Sequence, residues 1–258
     1  MLSEKERTVF EEDGYVVLRH LVGEEDITRL REVAMRDWRE GTLPVEYESE
    51  VSLPDEDLKR TDTRRATIIR RLSNAFVRDP TFYKLITGAA IAGSLRKLLK
   101  TDEVVMPLGH HNCIMTKAPN GGTETKWHQD FRYWHFQNPN LVSLWLALGE
   151  EFPSNGCLRV IPGSHRVAFS ASSFDSHKFF RTDYEGNQSL LESAVDVELK
   201  PGDVLLFHCF TLHSAGPNTA AAPKFSAVFT FRDSRNLPKP GSRSAICGEF
   251  VLPRPIEA

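Results

Sequence analysis

Two residues that commonly bind metal ions, His128 and Asp130, are separated by a single residue in the segment Thr125–Phe131. On an extended strand, residues i and i+2 project from the same face, so this imidazole and this carboxylate can bind one ion together. A third candidate ligand, His213, lies much further along the chain. Two neutral imidazoles and one carboxylate suit a divalent first-row metal, and three protein ligands leave coordination positions open. The residues therefore predict an open, reactive metal site.

The composition limits the partners. The chain has 258 residues, and its 32 lysines and arginines against 35 acidic residues give a net charge of -3. This balance indicates neither a nucleic acid nor an anionic membrane surface as partner. The four cysteines form no C-x-x-C pair, and the sequence contains no membrane-spanning run and no secretory signal. We expect a cytoplasmic protein with reduced thiols, and the sequence does not indicate its oligomeric state.

The first hundred residues have a largely helical pattern. Helices are predicted over residues 3–12, 24–40 and 80–100, with a short strand at Tyr15–Leu18. Residues 41–65 are rich in acidic residues and proline, which predicts an irregular loop, either a mobile lid or a solvated surface.

A basic cluster, Arg64–Arg71, follows that loop. Such a cluster can contact an anionic substrate, but a charge run with interspersed hydrophobic residues is more often a solvated face. We favour the solvated face.

The pattern changes after Lys100 to short strands separated by Gly, Pro and Asn turns, which is typical of a β-sandwich or barrel. Leu141–Leu148 is apolar on both faces, as a buried strand should be. We expect one domain over residues 1–258, with a helix-rich part at 1–100 and a jelly-roll core at 101–258 that carries the metal site.

Four blocks of sequence carry a resemblance to a known family. They are Trp127–Asp130, Asn155–Leu158 with Ile161–His165, Pro201–Asp203 and Leu212–Asn218. In order and spacing they resemble the phytanoyl-CoA dioxygenase family of non-haem iron(II)- and 2-oxoglutarate-dependent oxygenases. The resemblance implies a mainly β fold, a double-stranded β-helix (jelly roll, cupin-like) with N-terminal and flanking α-helices.

The same resemblance implies that His128, Asp130 and His213 bind iron(II). His213 is preferred to His208 because the family's second histidine directly precedes the Ser-Ala-Gly-Pro-Asn turn. The implied co-substrates are 2-oxoglutarate and dioxygen, with succinate and carbon dioxide as products. Relatives that halogenate carry a small residue in place of the aspartate, so the carboxylate of Asp130 favours hydroxylation.

The family usually binds the distal carboxylate of 2-oxoglutarate with an arginine on the strand after the second histidine, but this sequence has Lys224 there. Lysine supplies the charge without the bidentate fork of arginine. Ser226 is expected to donate a second hydrogen bond to the same carboxylate. Trp145 matches a family aromatic residue that packs near the 2-oxo acid.

The strand that precedes the metal motif contains three residues at positions that approach the co-substrate in similar proteins, namely Asn112, Cys113 and Lys117. We take Asn112 and Lys117 as candidate co-substrate contacts. Strand alternation places Cys113 and Lys117 on one face and Asn112 on the other, so they cannot all line one pocket unless the strand bulges.

Aromatic residues follow the metal motif directly. Phe131, Tyr133 and Trp134 are candidate walls of a binding site for a small or lipid-like organic substrate, because such sites are largely apolar. Core packing explains each of them equally well.

One other class of function is compatible with the sequence. A metal-binding, cupin-like isomerase or ligand sensor would not use 2-oxoglutarate, and the lysine at position 224 is the only feature that favours it.

Overall fold

The computed structural model describes residues 1–50, 67–119 and 123–254. The helices are α1 Glu4–Asp13, α2 Glu24–Glu40, α3 Pro80–Thr87, α4 Ala89–Leu99, α5 Gln188–Glu192 and α6 Arg243–Ile246. The strands are β1 Tyr15–Leu18, β2 Val45–Tyr47, β3 Ile69–Ser73, β4 Val104–Pro107, β5 Asn112–Lys117, β6 Thr125–His128, β7 Leu141–Ala147, β8 Leu158–Val160, β9 Val195–Val197, β10 Val204–His208, β11 His213–Ala215, β12 Lys224–Asp233 and β13 Glu249–Val251. No helix in these ranges is both long enough and apolar enough to cross a bilayer.

Two antiparallel sheets form the double-stranded β-helix that the sequence predicts. The larger sheet has nine strands, in the order β1-β10-β7-β12-β5-β3-β2, with β4 joining β12 and β13 at one side. The smaller sheet has four strands, in the order β6-β11-β8-β9. Strands distant in sequence therefore lie side by side, and β6 and β11 bring the two halves of the metal motif together.

The larger sheet separates two apolar layers. Its outer face packs against α2, α3 and α4, in a core that includes Leu30, Phe82 and Leu95. Its inner face, which carries Trp145 and Val228 opposite each other on β7 and β12, packs against the smaller sheet. Side chains alternate along each strand, so one set of residues in β5, β7 and β12 points between the sheets, where the metal motif lies.

The junction between α1 and β1 supports the strands around the metal motif. Gly14 ends α1 with a φ of 80°, and a Cβ there would meet Thr211 Oγ1 at 2.7 Å. The Gly14 carbonyl accepts hydrogen bonds from the His208 amide and the Thr211 hydroxyl. The N-terminal helix is thereby tied to the segment that leads into His213.

Two predictions about the N-terminal part need correction. The helix predicted over 80–100 is two helices, because Gly88 adopts an extended conformation with ψ of 147° and serves as the N-cap of α4. The loop predicted over 41–65 contains β2 and a turn of 3-10 helix in its first part. The rest of that loop lies outside the described residues. Strand β3 was not predicted.

Candidate metal centre

The three predicted ligands lie together between the two sheets. His128 ends β6, Asp130 begins a 3-10 helix over Asp130–Tyr133, and His213 begins β11 directly opposite His128. All three side chains are buried, and one donor atom from each lies within 4.8 Å of the others. Cross-strand pairing therefore sets the spacing of the two imidazoles.

The backbone fixes which nitrogen of each imidazole faces the centre. Nδ1 of His128 lies 2.8 Å from the Lys126 carbonyl oxygen, and Nδ1 of His213 lies 3.0 Å from the Thr211 carbonyl oxygen. A carbonyl only accepts hydrogen bonds, so each Nδ1 is the donor, and Nε2 is the nitrogen whose lone pair the neutral imidazole can offer to a metal. The two Nε2 atoms lie 3.8 Å and 3.6 Å from Asp130 Oδ1.

Asp130 is held by one oxygen and leaves the other free. Ser143 on β7 donates a hydrogen bond to Oδ2 at 2.8 Å, whereas Oδ1 is buried and has no hydrogen-bond partner among the described residues. Burial acts to raise the pKa of Asp130, but His111 and the two other triad members outweigh it and lower that pKa. The carboxylate is therefore ionised and has one oxygen available to a cation.

The electrostatics also favour a metal over a proton. Burial, followed by the proximity of His213, lowers the pKa of His128 to about 3. A neutral imidazole is the form that binds metals. Two such nitrogens and one unpartnered carboxylate oxygen are a donor set that fits iron(II) with coordination positions left open. The residues present fit the ion that the resemblance implies.

Lys224 is buried beside Glu151, a residue that the sequence analysis did not consider. Its Nζ lies 3.0 Å from Glu151 Oε2, and Ser226 donates to Oε1 of the same carboxylate at 2.6 Å. Trp145 completes the group, donating from Nε1 to Oε1 at 2.9 Å. The structure thus brings Lys224, Ser226 and Trp145 together, around a carboxylate of the protein itself. Glu151 lies in a Gly-Glu-Glu sequence that reads as a surface turn, so no sequence signal could have found it.

The candidates on β5 divide as the alternation predicts. Asn112 is turned toward the helices, where its side-chain oxygen accepts from the Phe76 amide at 2.9 Å. This hydrogen bond directs the side chain away from the space between the sheets, and its contact with the co-substrate stays a prediction. Lys117 points between the sheets, opposite Lys224, but its Nζ donates to the carbonyl oxygens of Ala215 and Gly216. Its ammonium cross-links β5 to the end of β11.

The aromatic residues after the ligands do not form one wall. A 3-10 helix has about three residues per turn, so Asp130 and Tyr133 share a side and Phe131 faces elsewhere. Tyr133 is 51% exposed, with its ring centroid 6.2 Å from that of His128. Phe131 packs on Phe210, with ring centroids 5.2 Å apart, and its contact with the substrate stays a prediction. Trp134 is buried at 4% exposure and packs against His111 rather than the open side.

Three further residues near the centre were missed or misread. His111, undecided from sequence, has a buried Nδ1 that lies 3.7 Å from Asp130 Oδ2. Arg70 and Arg71 are not part of a solvated face: both side chains are mostly covered and pair with Glu46. Arg71 also donates to the Met115 sulfur at 3.2 Å, inside the sandwich. Arg64 and Arg65 lie outside the described residues.

His208 lies outside the triad, in agreement with the choice of His213. Its Nδ1 accepts a hydrogen bond from the Phe210 amide, and its ring packs on His165. Burial and the neighbouring His165 lower the pKa of His208 to about 4.

Comparisons with known proteins agree with this geometry. The sequence model of the phytanoyl-CoA dioxygenase family matches residues 10–226. Ectoine dioxygenase from Sphingopyxis alaskensis is 30% identical over 256 residues, which cover 93% of this chain and 79% of that protein. Peroxisomal phytanoyl-CoA dioxygenase from Mus musculus is 27% identical over 236 residues, covering 84% of this chain and 64% of that protein.

A solved structure gives the same result for the fold. EctD from S. alaskensis, crystallised with 2-oxoglutarate and 5-hydroxyectoine, superposes with a TM-score of 0.74 at 26% identity. The match covers 92% of this chain and 78% of that one. None of these relatives supports the alternative of a cupin-like isomerase or sensor that does not use 2-oxoglutarate.

Proposed function

This chain belongs to the phytanoyl-CoA dioxygenase family, and we propose that His128, Asp130 and His213 hold its catalytic iron(II). The protein is an iron(II)- and 2-oxoglutarate-dependent dioxygenase that acts on a small molecule. Hydroxylation is the proposed outcome, because the family pattern of a complete carboxylate ligand is kept at Asp130.

One observation carries the assignment of the ligands. Asp130 Oδ1 is buried without a hydrogen-bond partner among the described residues, and the unprotonated Nε2 atoms of His128 and His213 are turned toward it. Leaving a buried acceptor unsatisfied costs about 1–3 kcal/mol, and more when the group is charged. A cation at this point satisfies the oxygen and uses both nitrogens.

The iron, when bound, supplies the oxidative decarboxylation of 2-oxoglutarate and the oxidation of a substrate C–H bond. The protein's own contribution is positioning and exclusion of water. Ser143 orients Asp130, the backbone carbonyls of Lys126 and Thr211 orient the imidazoles, and all three ligands are buried. Such fixed partners of metal ligands raise metal affinity and keep the ligand geometry.

We place the distal carboxylate of 2-oxoglutarate at Lys224, between the same two sheets as the metal ligands. Lys224 and Ser226 lie on the same face of β12, which is turned to the space between the sheets. The ring centroid of Trp145 lies 5.0 Å from Nζ of Lys224. The carboxylate of Glu151 already neutralises this ammonium. The co-substrate therefore competes with Glu151 for Lys224, and it also faces Lys117, the cross-strand neighbour of Lys224.

The substrate enters from the side of Tyr133, whose half-exposed ring lies near His128. The relatives named above act on ectoine and phytanoyl-CoA, which differ greatly in size and polarity. The shared property that supports the proposal is an organic substrate with an oxidisable C–H bond.

We also propose that residues 1–258 act as one dioxygenase domain in the cytoplasm. Strands β1 and β3 of the N-terminal part pair with β10 and β5 of the core, which supports a single folding unit. The cysteines are free thiols, three of them buried, which supports a reducing compartment.

Anaerobic titration tests the metal and co-substrate assignments together. Iron(II) and 2-oxoglutarate added to the protein should produce a metal-to-ligand charge-transfer band in the visible region. The band should be lost in His213→Ala and kept in His135→Ala, which alters an exposed histidine outside the triad. On admission of oxygen, the wild type should release succinate from 2-oxoglutarate.

The proposal fails if the wild type gives no band, or if His213→Ala gives the same band as the wild type. A band with no succinate release under oxygen, even with candidate substrates present, would contradict the dioxygenase assignment while leaving the metal site in place.

A further inference from the structure

A second unsatisfied group lies beside the metal centre, on Arg132. This residue is part of the 3-10 helix that begins with the ligand Asp130. Its Nη1 is buried and has no hydrogen-bond partner, and within the described ranges no carboxylate lies within ion-pair distance of its guanidinium. Arg70 and Arg71, in contrast, share Glu46 as their acidic partner. Arg132 is thus a cation near the metal that forms no ion pair within the described ranges, and the charge of Asp175 acts on it only from beyond that distance.

Two aromatic rings fix where the guanidinium lies. Its Cζ stands 3.6 Å from the centroid of the Phe179 ring and 4.4 Å from that of Tyr133. Both rings also contact His128, with centroid distances of 6.4 Å and 6.2 Å. The guanidinium therefore contacts two rings that also contact the metal ligand His128.

The aromatic contacts account for only part of its stabilisation. Cation–π contacts contribute about 0.5–2 kcal/mol, and they use the faces of the guanidinium rather than its N–H groups. The N–H groups lie in the plane and remain available for an acceptor. Burying Nη1 without an acceptor carries a desolvation cost. An acceptor supplied from outside would remove that penalty, and a charged acceptor would do so most effectively.

Arg132 follows a strand of a different sheet from the one that carries Lys224, the residue proposed to bind the co-substrate. Lys224, which we assign to 2-oxoglutarate, is on β12 of the larger sheet. Arg132 follows β6 of the smaller sheet and is covered by Phe179 and the half-exposed Tyr133, where the substrate is proposed to enter. The acceptor for Arg132 therefore belongs to the primary substrate.

We propose that Arg132 binds a carboxylate group of the primary substrate and thereby directs one of its C–H bonds toward the metal. A single unpaired guanidinium matches a single negative charge, and its planar fork matches the two oxygens of a carboxylate. The substrate class is a small organic acid, including zwitterions, with an apolar part that contacts Tyr133 and Phe179. This inference rests on the proposed function, because it takes the triad as the reacting centre.

A binding experiment tests the proposal without requiring turnover. Zinc(II) and 2-oxoglutarate fill the metal and co-substrate positions without supporting oxidation. Pairs of small carboxylic acids and their neutral amides are then screened by saturation-transfer NMR and quantified by calorimetry. Acids should bind and their amides should bind at least tenfold more weakly. Arg132→Gln should weaken binding of the acids by more than tenfold and leave little difference between acid and amide.

Two further variants make the result specific. Arg181→Gln is the matched control, since Arg181 also stacks on a tyrosine but is exposed and paired with Asp183; it should bind the acids as the wild type does. Arg132→Lys keeps the charge without the fork, so it should weaken acid binding by a smaller factor than Arg132→Gln. Its result decides the matter if the glutamine variant does not fold.

The proposal is overturned if amides bind as tightly as acids, or if neither Arg132 variant weakens binding of the acids. Failure of the charge-transfer titration, by contrast, would contradict the dioxygenase assignment, and the zinc-based binding data would still report on Arg132.

Discussion

Lys224 and Glu151 form a buried ion pair at the position where the family places the cation for 2-oxoglutarate, with Nζ and Oε2 3.0 Å apart and both side chains almost fully enclosed. A buried pair of this kind contributes little net stability, but removing one partner leaves an uncompensated charge and costs about 3–5 kcal/mol. The pair holds the lysine in place between the sheets. If 2-oxoglutarate binds Lys224 as proposed, Glu151 competes with it.

Glu151→Gln should strengthen the binding of 2-oxoglutarate. Glutamine keeps an oxygen for the Trp145 and Ser226 donors but removes the charge that opposes the incoming carboxylate. We expect the KM for 2-oxoglutarate to fall by about tenfold, which corresponds to roughly 1.4 kcal/mol. In the absence of co-substrate, unfolding by urea should show a loss of about 3 kcal/mol, part of which returns with metal and 2-oxoglutarate. An increased KM would instead mean that Glu151 positions Lys224 for the co-substrate.

The double variant Lys224→Met/Glu151→Gln separates co-substrate binding from stability. Lys224→Met alone leaves Glu151 as an unpaired buried carboxylate, so its free energy of unfolding should drop by about 3–5 kcal/mol. Neutralising Glu151 as well should restore most of that loss. The KM for 2-oxoglutarate should remain at least tenfold above the wild-type value in both variants, as measured by succinate release. If the KM recovers together with stability, Lys224 has only a structural role.

Ser143→Ala should weaken metal binding. Ser143 holds Oδ2 of Asp130 at 2.8 Å and so leaves Oδ1 directed at the two imidazoles. Loss of such a partner of a metal ligand typically lowers metal affinity by about 10–100-fold. Cobalt(II) titration against a chelator, followed by the visible absorption of the bound ion, measures this affinity. Ser170→Ala, at an exposed serine whose hydroxyl bonds only other serines, serves as the control. Equal affinities in all three proteins would contradict the role of Ser143.

The metal ligands could be predicted from sequence because their geometry is local or is tied to a turn. His128 and Asp130 are separated by one residue, and His213 precedes the turn that the family motif marks. The alternation of side chains on β5 was also predictable, with Lys117 and Asn112 on opposite faces, but only the structure shows that Lys117 is inside the sandwich and Asn112 outside. These are properties of single strands and their ends.

Glu151 and Arg132 could not be predicted because their environments come from tertiary packing. Glu151 meets Lys224 only because β7 lies beside β12, and neither residue's sequence neighbourhood indicates burial. Arg132 stacks on Phe179, which lies in the long segment between β8 and α5. The different surroundings of Phe131 and Tyr133 have a local cause, because the chain enters a 3-10 helix at Asp130 and strand alternation no longer applies.

The stability of the protein should depend on the protonation of Lys117. Burial, followed by the charge of Lys224, lowers the pKa of Lys117 from 10.5 to about 7. Below pH 7 both the native and the unfolded protein hold this proton, so the cost of burying the charge is present in full. Between about pH 7 and 10.5 the unfolded chain binds the proton that the native protein has released. The free energy of unfolding contributed by this group therefore rises with pH across that window.

Urea unfolding of the wild type and Lys117→Met at pH 6.5 and pH 9 measures this contribution. Relative to the variant, the wild type should gain about 2 kcal/mol between the two pH values, since each pH unit is worth at most about 1.4 kcal/mol. Lys117→Met also loses the hydrogen bonds to the Ala215 and Gly216 carbonyls. This loss offsets the free energy of unfolding of the variant from that of the wild type, but the offset does not follow the pH slope. Lys239→Met, at an exposed lysine, controls for the loss of one surface charge. Parallel pH profiles for the wild type and Lys117→Met would show that the Lys117 ammonium stays charged in the native protein, held by those carbonyls.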